Sequence, residues 1–243
     1  ELGAIALENS VFAPKSGKEN CAVSFVSAYA AAMYCNWLTN GAKAQAGLAD
    51  YLSGVYNFRE YGIAKELFSP DNISRDTRAY RLPTLNEWYK AAYYSPELNG
   101  GAGGYYKYAT QSDIAPNASA PTDSANSANY DKAVLNTTPV GSYPNSGSYY
   151  GTFDQNGNVW EWTESVVYAS LDAVQLGFRG GGLYNGAGAL HASDNYNIPP
   201  ERGNSDFGFR VATLTVMPET STCAIFFGAA AIVFAAWLRR KIP

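Results

Sequence analysis

Asp154-Gln155-Asn156-Gly157-Asn158-Val159-Trp160-Glu161-Trp162-Thr163 is the stretch from which the fold is read. Val159, Glu161 and Thr163 alternate with Trp160 and Trp162, the period of a short strand with indoles on one face and a carboxylate on the other. Downstream, residues 207–213 (FGFRVAT) read as a final strand entering the core. Upstream, Arg81-Leu82-Pro83 leads into Thr84-Leu85-Asn86-Glu87, a capping box that starts a helix whose buried face is Leu85, Trp88, Tyr89 and Ala92. Earlier still, Ser27 precedes Ala30, Met33, Tyr34, Trp37 and Leu38, a helical stripe assigned to the core and stopped at Asn40 and Gly41. Residues 42–79 read as a connecting excursion with short elements, and 99–151, rich in Gly, Asn, Ser and Pro, as ordered loop. Few helices, short strands and long loops predict an α+β domain of low regular content.

Composition narrows the function classes. The chain has 243 residues, 47% of them broadly apolar and 16% charged, so it buries a core and is not disordered. Its net charge of −4 argues against binding to a phosphate backbone. The glycines of residues 99–104 (NGGAGG) lack the Lys-Ser/Thr ending of a phosphate loop and are assigned to turns. Asn-x-Ser/Thr triplets at Asn72, Asn117 and Asn136 are short enough to arise by chance. Aromatics are abundant, with 19 Tyr, 11 Phe and 5 Trp, and suit binding surfaces as well as cores. Cys21, Cys35 and Cys223 are the only cysteines, and whether Cys21 and Cys35 pair is open from sequence.

The two ends suggest export. The chain opens on Glu1 with no targeting segment, as expected of a processed or truncated N-terminus. Residues 223–238 form an uncharged apolar run followed by Arg239, Arg240 and Lys241, read as a C-terminal hydrophobic helix with its basic end cytoplasmic. Pro218-Glu219-Thr220, this run and the basic end together resemble the PEP-CTERM sorting signal of bacteria, with Thr220 where a second proline is usual. The resemblance implies processing by an exosortase-type enzyme. It divides the chain into a body, 1–217, and a sorting segment, 218–243, that anchors the protein in the membrane or is cleaved to release it at the cell surface.

Within the body, Arg81-Leu82-Pro83-Thr84 with Glu87-Trp88, then Gly157-Asn158-Val159-Trp160-Glu161-Trp162, Arg179-Gly180-Gly181 and Gly208-Phe209-Arg210 follow in a specific order. In this the chain resembles the formylglycine-generating enzyme, or sulfatase-modifying factor, family. Tyr34-Cys35-Asn36-Trp37-Leu38 fits its earlier part. Residues 150–155 resemble the branch that carries PEP-CTERM tails. The resemblance implies a C-type-lectin-like α+β fold held partly by calcium. One calcium site maps onto the carboxylates of Asp154 and Glu161 with the carbonyls of Gly157 and Val159, a hard-oxygen set that suits the ion. A second begins at Asn129 and Tyr130, with no clear acidic partner in the short loop 131–138. Asn158, Trp160 and Trp162 are assigned to the scaffold, and Arg179 and Arg210 to buried pairing with carboxylates.

The catalytic chemistry of the family does not map. Its active members use two cysteines between the RGGS-type motif and GFR to bind copper. Residues 182–207 (GLYNGAGALHASDNYNIPPERGNSDF) contain none, and no amide replaces a thiolate toward cuprous copper. Gly182 stands where serine is usual and His191 where arginine is frequent. Iron-dependent relatives need several histidines, and His191 is the only one. The expected function is therefore a calcium-stabilised binding module for a glycan or matrix polymer. Its ligand face would be Tyr184, Asn185, His191, Asn195 and Tyr196, where aromatic and amide groups combine. The alternatives are a divergent metal-dependent oxidoreductase acting on a protein or small thiol, and a structural biofilm-matrix protein.

Overall fold

The computed structural model describes residues 5–8, 11–61, 64–74, 76, 78–170 and 173–213, and the apolar run with its basic end lies outside them. In chain order the elements are β1 (Ile5–Glu8), β2 (Val11–Pro14), α1 (Ala28–Thr39), α2 (Leu48–Leu52), α3 (Ala64–Leu67), β3 (Tyr80–Arg81), α4 (Leu85–Tyr93), β4 (Tyr94–Ser95), α5 (Leu98–Gly101), β5 (Gly104–Tyr105), β6 (Asn117–Ala118), β7 (Ser127–Ala128), β8 (Trp160–Ala169), β9 (Val174–Arg179), β10 (Tyr196–Ile198), β11 (Phe207–Phe209) and β12 (Ala212–Thr213). Helix and strand are mixed and short, as the composition predicts. No helix among the described residues is long and apolar enough to cross a membrane.

The main sheet has the order β10-β9-β8-β11, antiparallel except for the parallel β11–β8 pair. β8 keeps the predicted alternation but is longer than residues 159–163. Trp160 and Trp162 pack with Phe178 and Phe207 in the main core, while Glu161 points to the other face and meets Trp88. Each such fully buried ring contributes about 1.5–3 kcal/mol of burial energy. The predicted single strand 207–213 is broken in two. β11 pairs with β8, Arg210 leaves the ladder toward Glu161, and β12 pairs instead with β3.

α1 forms where its cap predicts, with Ser27 Oγ accepting from the Ala30 N–H at 3.2 Å. Its buried face is not the predicted stripe: Ala28, Ala31, Ala32 and Cys35 are fully buried, whereas Tyr34 is 42% exposed. Small side chains let the helix backbone lie close to the core, so the large residues turn outward. Asn36, also fully buried, donates to the carbonyls of Tyr51 and Tyr56 at 2.8 and 2.7 Å and accepts from the Tyr56 N–H at 2.9 Å. That amide stitches the 42–79 excursion to α1 and lets Val55, Tyr56, Leu67 and Phe68 enter the core. On α4, Trp88, Ala92 and Tyr93 are buried, with Tyr93 taking a place predicted for Leu85 and Tyr89.

The turn into β8 depends on two left-handed residues, Gly157 at φ 78° and Asn158 at φ 63°. A Cβ on Gly157 would stand inside the carbonyl of Asn129, whereas one on Gly151, φ 72°, would meet nothing. Gly151→Ala should cost about 1 kcal/mol from backbone strain alone. Gly157→Ala adds an overlap with backbone and should cost at least about 3 kcal/mol. Urea unfolding of the two variants measures the difference.

Candidate functional site

Glu161 lies at the meeting of three parts of the chain. The parallel register sets Gly208 beside Glu161, so Arg210 emerges two residues further on. The capping box orients α4: Thr84 Oγ1 accepts from the Glu87 N–H at 3.2 Å and Glu87 Oε2 accepts from the Thr84 N–H at 2.8 Å. Trp88 Nε1 then donates to Glu161 Oε2 at 2.6 Å. Arg210 donates through Nη2 to Glu161 Oε1 at 2.6 Å and to the Phe153 carbonyl at 3.0 Å, and its Nε donates to Glu161 Oε2. Burial works against the Arg210 charge, but Glu161 and then Asp154 outweigh it and raise its pKa. This pair was foreseen for Arg210.

Beside the pair opens a cleft of about 1110 Å³. Asp154, Asn158, Glu161 and Arg210 form its polar part, and Val23, Val26, Tyr34, Phe153, Phe209 and Val211 its apolar part. Cys21, a free thiol, also lines it, and Cys35 is free on the buried face of α1. Asp154 Oδ2 accepts from the Gly141 N–H at 2.6 Å. Burial chiefly, then the Glu161 charge, push the Asp154 carboxyl up against the opposing Gly141 N–H and Arg210. Glu161 thus holds the Arg210 ion pair, and Asp154 feels that guanidinium through space only. In kind, these oxygens fit a hard divalent cation, although both oxygens of Glu161 are engaged by Arg210 and no group of three His, Cys, Asp or Glu gathers among the described residues. At the second predicted position, Asn129 donates to the Asn136 carbonyl at 3.0 Å and accepts from the Val134 N–H at 3.3 Å. Tyr130 is buried and donates its hydroxyl to the Pro116 carbonyl.

Other buried charges escaped the sequence reading. Arg81 Nη1 donates to Glu87 Oε2 at 2.7 Å and to Glu164 Oε1 at 3.4 Å, and Tyr56 donates to Glu164 Oε2 at 2.8 Å. Only the capping box was legible, because Tyr56 and Glu164 are 108 residues apart. Among the described residues Arg179 has no carboxylate partner, contrary to expectation. It lies over the rings of Trp88 and Tyr89 at 5.9 and 5.0 Å and donates weakly to the Ala192 carbonyl at 3.3 and 3.4 Å. Asp206 is 6% exposed, and burial pushes its carboxyl pKa up. A side chain on Gly182 would collide with that carboxylate, which accounts for glycine there.

The five predicted ligand residues do not line the cleft. Asn185 Oδ1 accepts from the Gly182 N–H at 2.9 Å and its carbonyl from the Asp131 N–H at 2.8 Å, so it clamps loops together, with half-buried Tyr184 beside it. His191 Nδ1 accepts from the Ser193 N–H at 3.1 Å, and its ring stands edge-on to Tyr108 at 5.4 Å. Asn195 is exposed, and Tyr196 packs its ring on Trp160 at 4.8 Å.

A family model described as sulfatase-modifying factor enzyme 1-like domain matches residues 9–214. Hercynine oxygenase of Mycobacterium tuberculosis is 38% identical over 87 residues, 36% of this chain and 18% of that protein. The same enzyme of Mycolicibacterium thermoresistibile is 38% identical over 87 residues, 36% and 17% of the two chains. The matched segment thus spans less than a fifth of these curated relatives. Among solved structures, CarF superposes with a TM-score of 0.51 at 25% identity, covering 78% of this chain and 66% of that one. Treponema denticola variable protein 1 gives a TM-score of 0.52 at 20% identity, covering 83% and 74%, a likeness of fold alone.

The carboxyls of Glu87 and Asp206 set opposite pH dependences. Burial opposes ionisation of Glu87, but bonds from Arg81 and Thr84 win and hold its pKa at about 2. Its contribution is present above the unfolded value of about 4.3 and lost as pH falls toward 2, so Glu87→Gln should cost stability at pH 7 and little at pH 2. Asp206 has the reverse sign: the neutral form is favoured below about pH 3.9, and that advantage is lost as pH rises through its raised folded pKa. Asp206→Asn should raise the melting temperature at pH 7 and match wild type near pH 3. Melting curves across that range test both signs.

Proposed function

Because this chain belongs to the sulfatase-modifying factor enzyme 1-like family, we propose that it is a binding module built on that fold for a glycan or matrix polymer, without the copper chemistry of the catalytic members. The observation that carries the reading is how residues 182–207 are used. They contain no thiol, and the structure packs them as scaffold: Asn185 clamps Gly182, and Leu190 is fully buried with Tyr108, Ala128 and Tyr130. His191 spends Nδ1 on its own turn. A set of soft ligands for cuprous copper is not available there, and no step is assigned to that metal. What the fold offers is a rigid body with an aromatic-rich surface, which suits recognition.

The exported, exosortase-sorted state is part of the proposal and rests on the order of Pro218-Glu219-Thr220, apolar run and basic end. Calcium is a further part. Asp154 and Glu161, with the carbonyls of Gly157 and Val159, would hold it, and it would supply the positive charge that Arg210 alone does not provide to two carboxylates. Arg210 and Trp88 keep Glu161 in place in either case.

A second reading, a metal-dependent oxidoreductase acting on a small thiol, draws support from the 38% identity to hercynine oxygenase over 87 residues. Fold does not decide between the two, since one scaffold hosts different chemistries.

Elemental analysis and melting of the purified chain separate them. The binding reading expects about one calcium per chain, a lower melting temperature with chelator, and loss of that dependence in Asp154→Asn. Stoichiometric copper or iron would overturn it in favour of the oxidoreductase. A glycan array left blank in calcium-containing buffer would also count against binding.

A further inference from the structure

Outside the cleft, five tyrosines from three separate segments form a continuous run. The centroid distances are 4.9 Å from Tyr89 to Tyr105, 5.1 Å from Tyr105 to Tyr94, 6.5 Å from Tyr94 to Tyr150 and 5.5 Å from Tyr150 to Tyr149. Tyr94 and Tyr150 are nearly coplanar in direction, at 15°. Tyr105 and Tyr150 are each 49% exposed and Tyr149 is 37% exposed. The rings are held from below. Tyr89 lies under the Arg179 guanidinium at 5.0 Å and against buried Tyr93 at 5.1 Å, and Tyr94 pairs with Tyr105 across β4 and β5. The Tyr94 hydroxyl lies against Gly103, φ 82°, where any side chain would collide with it. Loop 98–104 therefore uses glycine to let backbone approach a ring.

We propose that this tyrosine run is the surface on which a neutral polysaccharide chain binds; the inference rests on the binding-module reading and names its site. Every ring of the run is a phenol, and none of these five hydroxyls donates a hydrogen bond to another described residue. Such a surface offers flat apolar faces with unspent donors, and a pyranose offers flat C–H faces with a rim of hydroxyls. Five rings in succession, with Tyr94–Tyr105 at 63° and Tyr149–Tyr150 at 88°, offer several separate faces and edges, which suits a polymer more than a single sugar. Two cations touch the run, buried Arg179 at 5.0 Å from the Tyr89 ring and Lys90 at 5.5 Å from the Tyr94 ring, and the chain as a whole is at −4, so the charge near the run is not a basic track for a polyanion. Because the rings are pre-ordered by packing, little side-chain entropy is lost on binding.

Affinity electrophoresis of the full chain in gels containing glucomannan, hydroxyethyl cellulose, xylan or alginate tests the assignment. At least one neutral polymer should retard wild type, and Tyr105→Ala/Tyr150→Ala should weaken the apparent affinity roughly fivefold or more through the loss of two stacking contacts. Tyr105→Phe/Tyr150→Phe keeps the rings and should fall between, guarding against misfolding as the cause. Tyr184→Ala/Tyr196→Ala should keep wild-type retardation. Retardation lost in that last variant but kept in the Tyr105/Tyr150 pair would overturn the tyrosine run and leave the binding reading standing. Retardation by alginate alone would overturn the neutral-polymer assignment, and retardation by no polymer would overturn both.

Discussion

A carboxylate buried in the wall of a cleft needs partners for its charge, and Glu161, 4% exposed, meets that demand with donors from two distant places. The Trp88 indole comes from 73 residues before it and the Arg210 guanidinium from 49 residues after it. A buried charge that loses its partner costs about 3–5 kcal/mol, so this bond ties α4, β8 and the exit of β11 into one unit. The parallel β11–β8 register is a consequence as much as a cause. It is the arrangement that delivers Arg210 to Glu161, and the chain leaves the sheet there because the guanidinium is needed inward.

The other buried cations are housed differently. Arg81 is enclosed by Glu87 and Glu164, and Tyr56 shares Glu164, so the start of α4 is joined to β8 and to the long excursion after α1. Arg179 meets no carboxylate among the described residues and rests on the faces of Trp88 and Tyr89. A guanidinium tolerates this because it is planar and weakly hydrated, which an ammonium is not. These polar clusters replace regular secondary structure as the source of order. They explain how a body of short strands and long loops holds a defined surface.

On the binding reading proposed above, the function falls on that surface rather than on a reactive centre. The loop between the double glycine and Arg210 is occupied by packing residues, and Asp206 fills the space that a side chain at position 182 would take. Arg179 links the interior to the outside: it stacks on Trp88, which holds Glu161, and on Tyr89, which begins the tyrosine run. On that reading, the packing that orders the tyrosine run is continuous with the packing that holds the fold.

By itself the sequence determined the features governed by near neighbours. The alternation through Trp160, Glu161 and Trp162, the Ser27 cap and the Thr84–Glu87 box were legible because period and capping act within a few residues. The ordered motifs also identified the family, and the missing thiols in 182–207 were plain. Only the tertiary structure decided which face of α1 is buried, since close packing rewarded Ala31 and Ala32 over Tyr34 and Trp37. It alone broke 207–213 at Arg210, left Arg179 on rings instead of a carboxylate, and assembled Tyr89, Tyr94, Tyr105, Tyr149 and Tyr150. Those outcomes depend on which distant groups can satisfy a buried charge or fill a given volume, and that is a property of the folded arrangement rather than of any local stretch of chain.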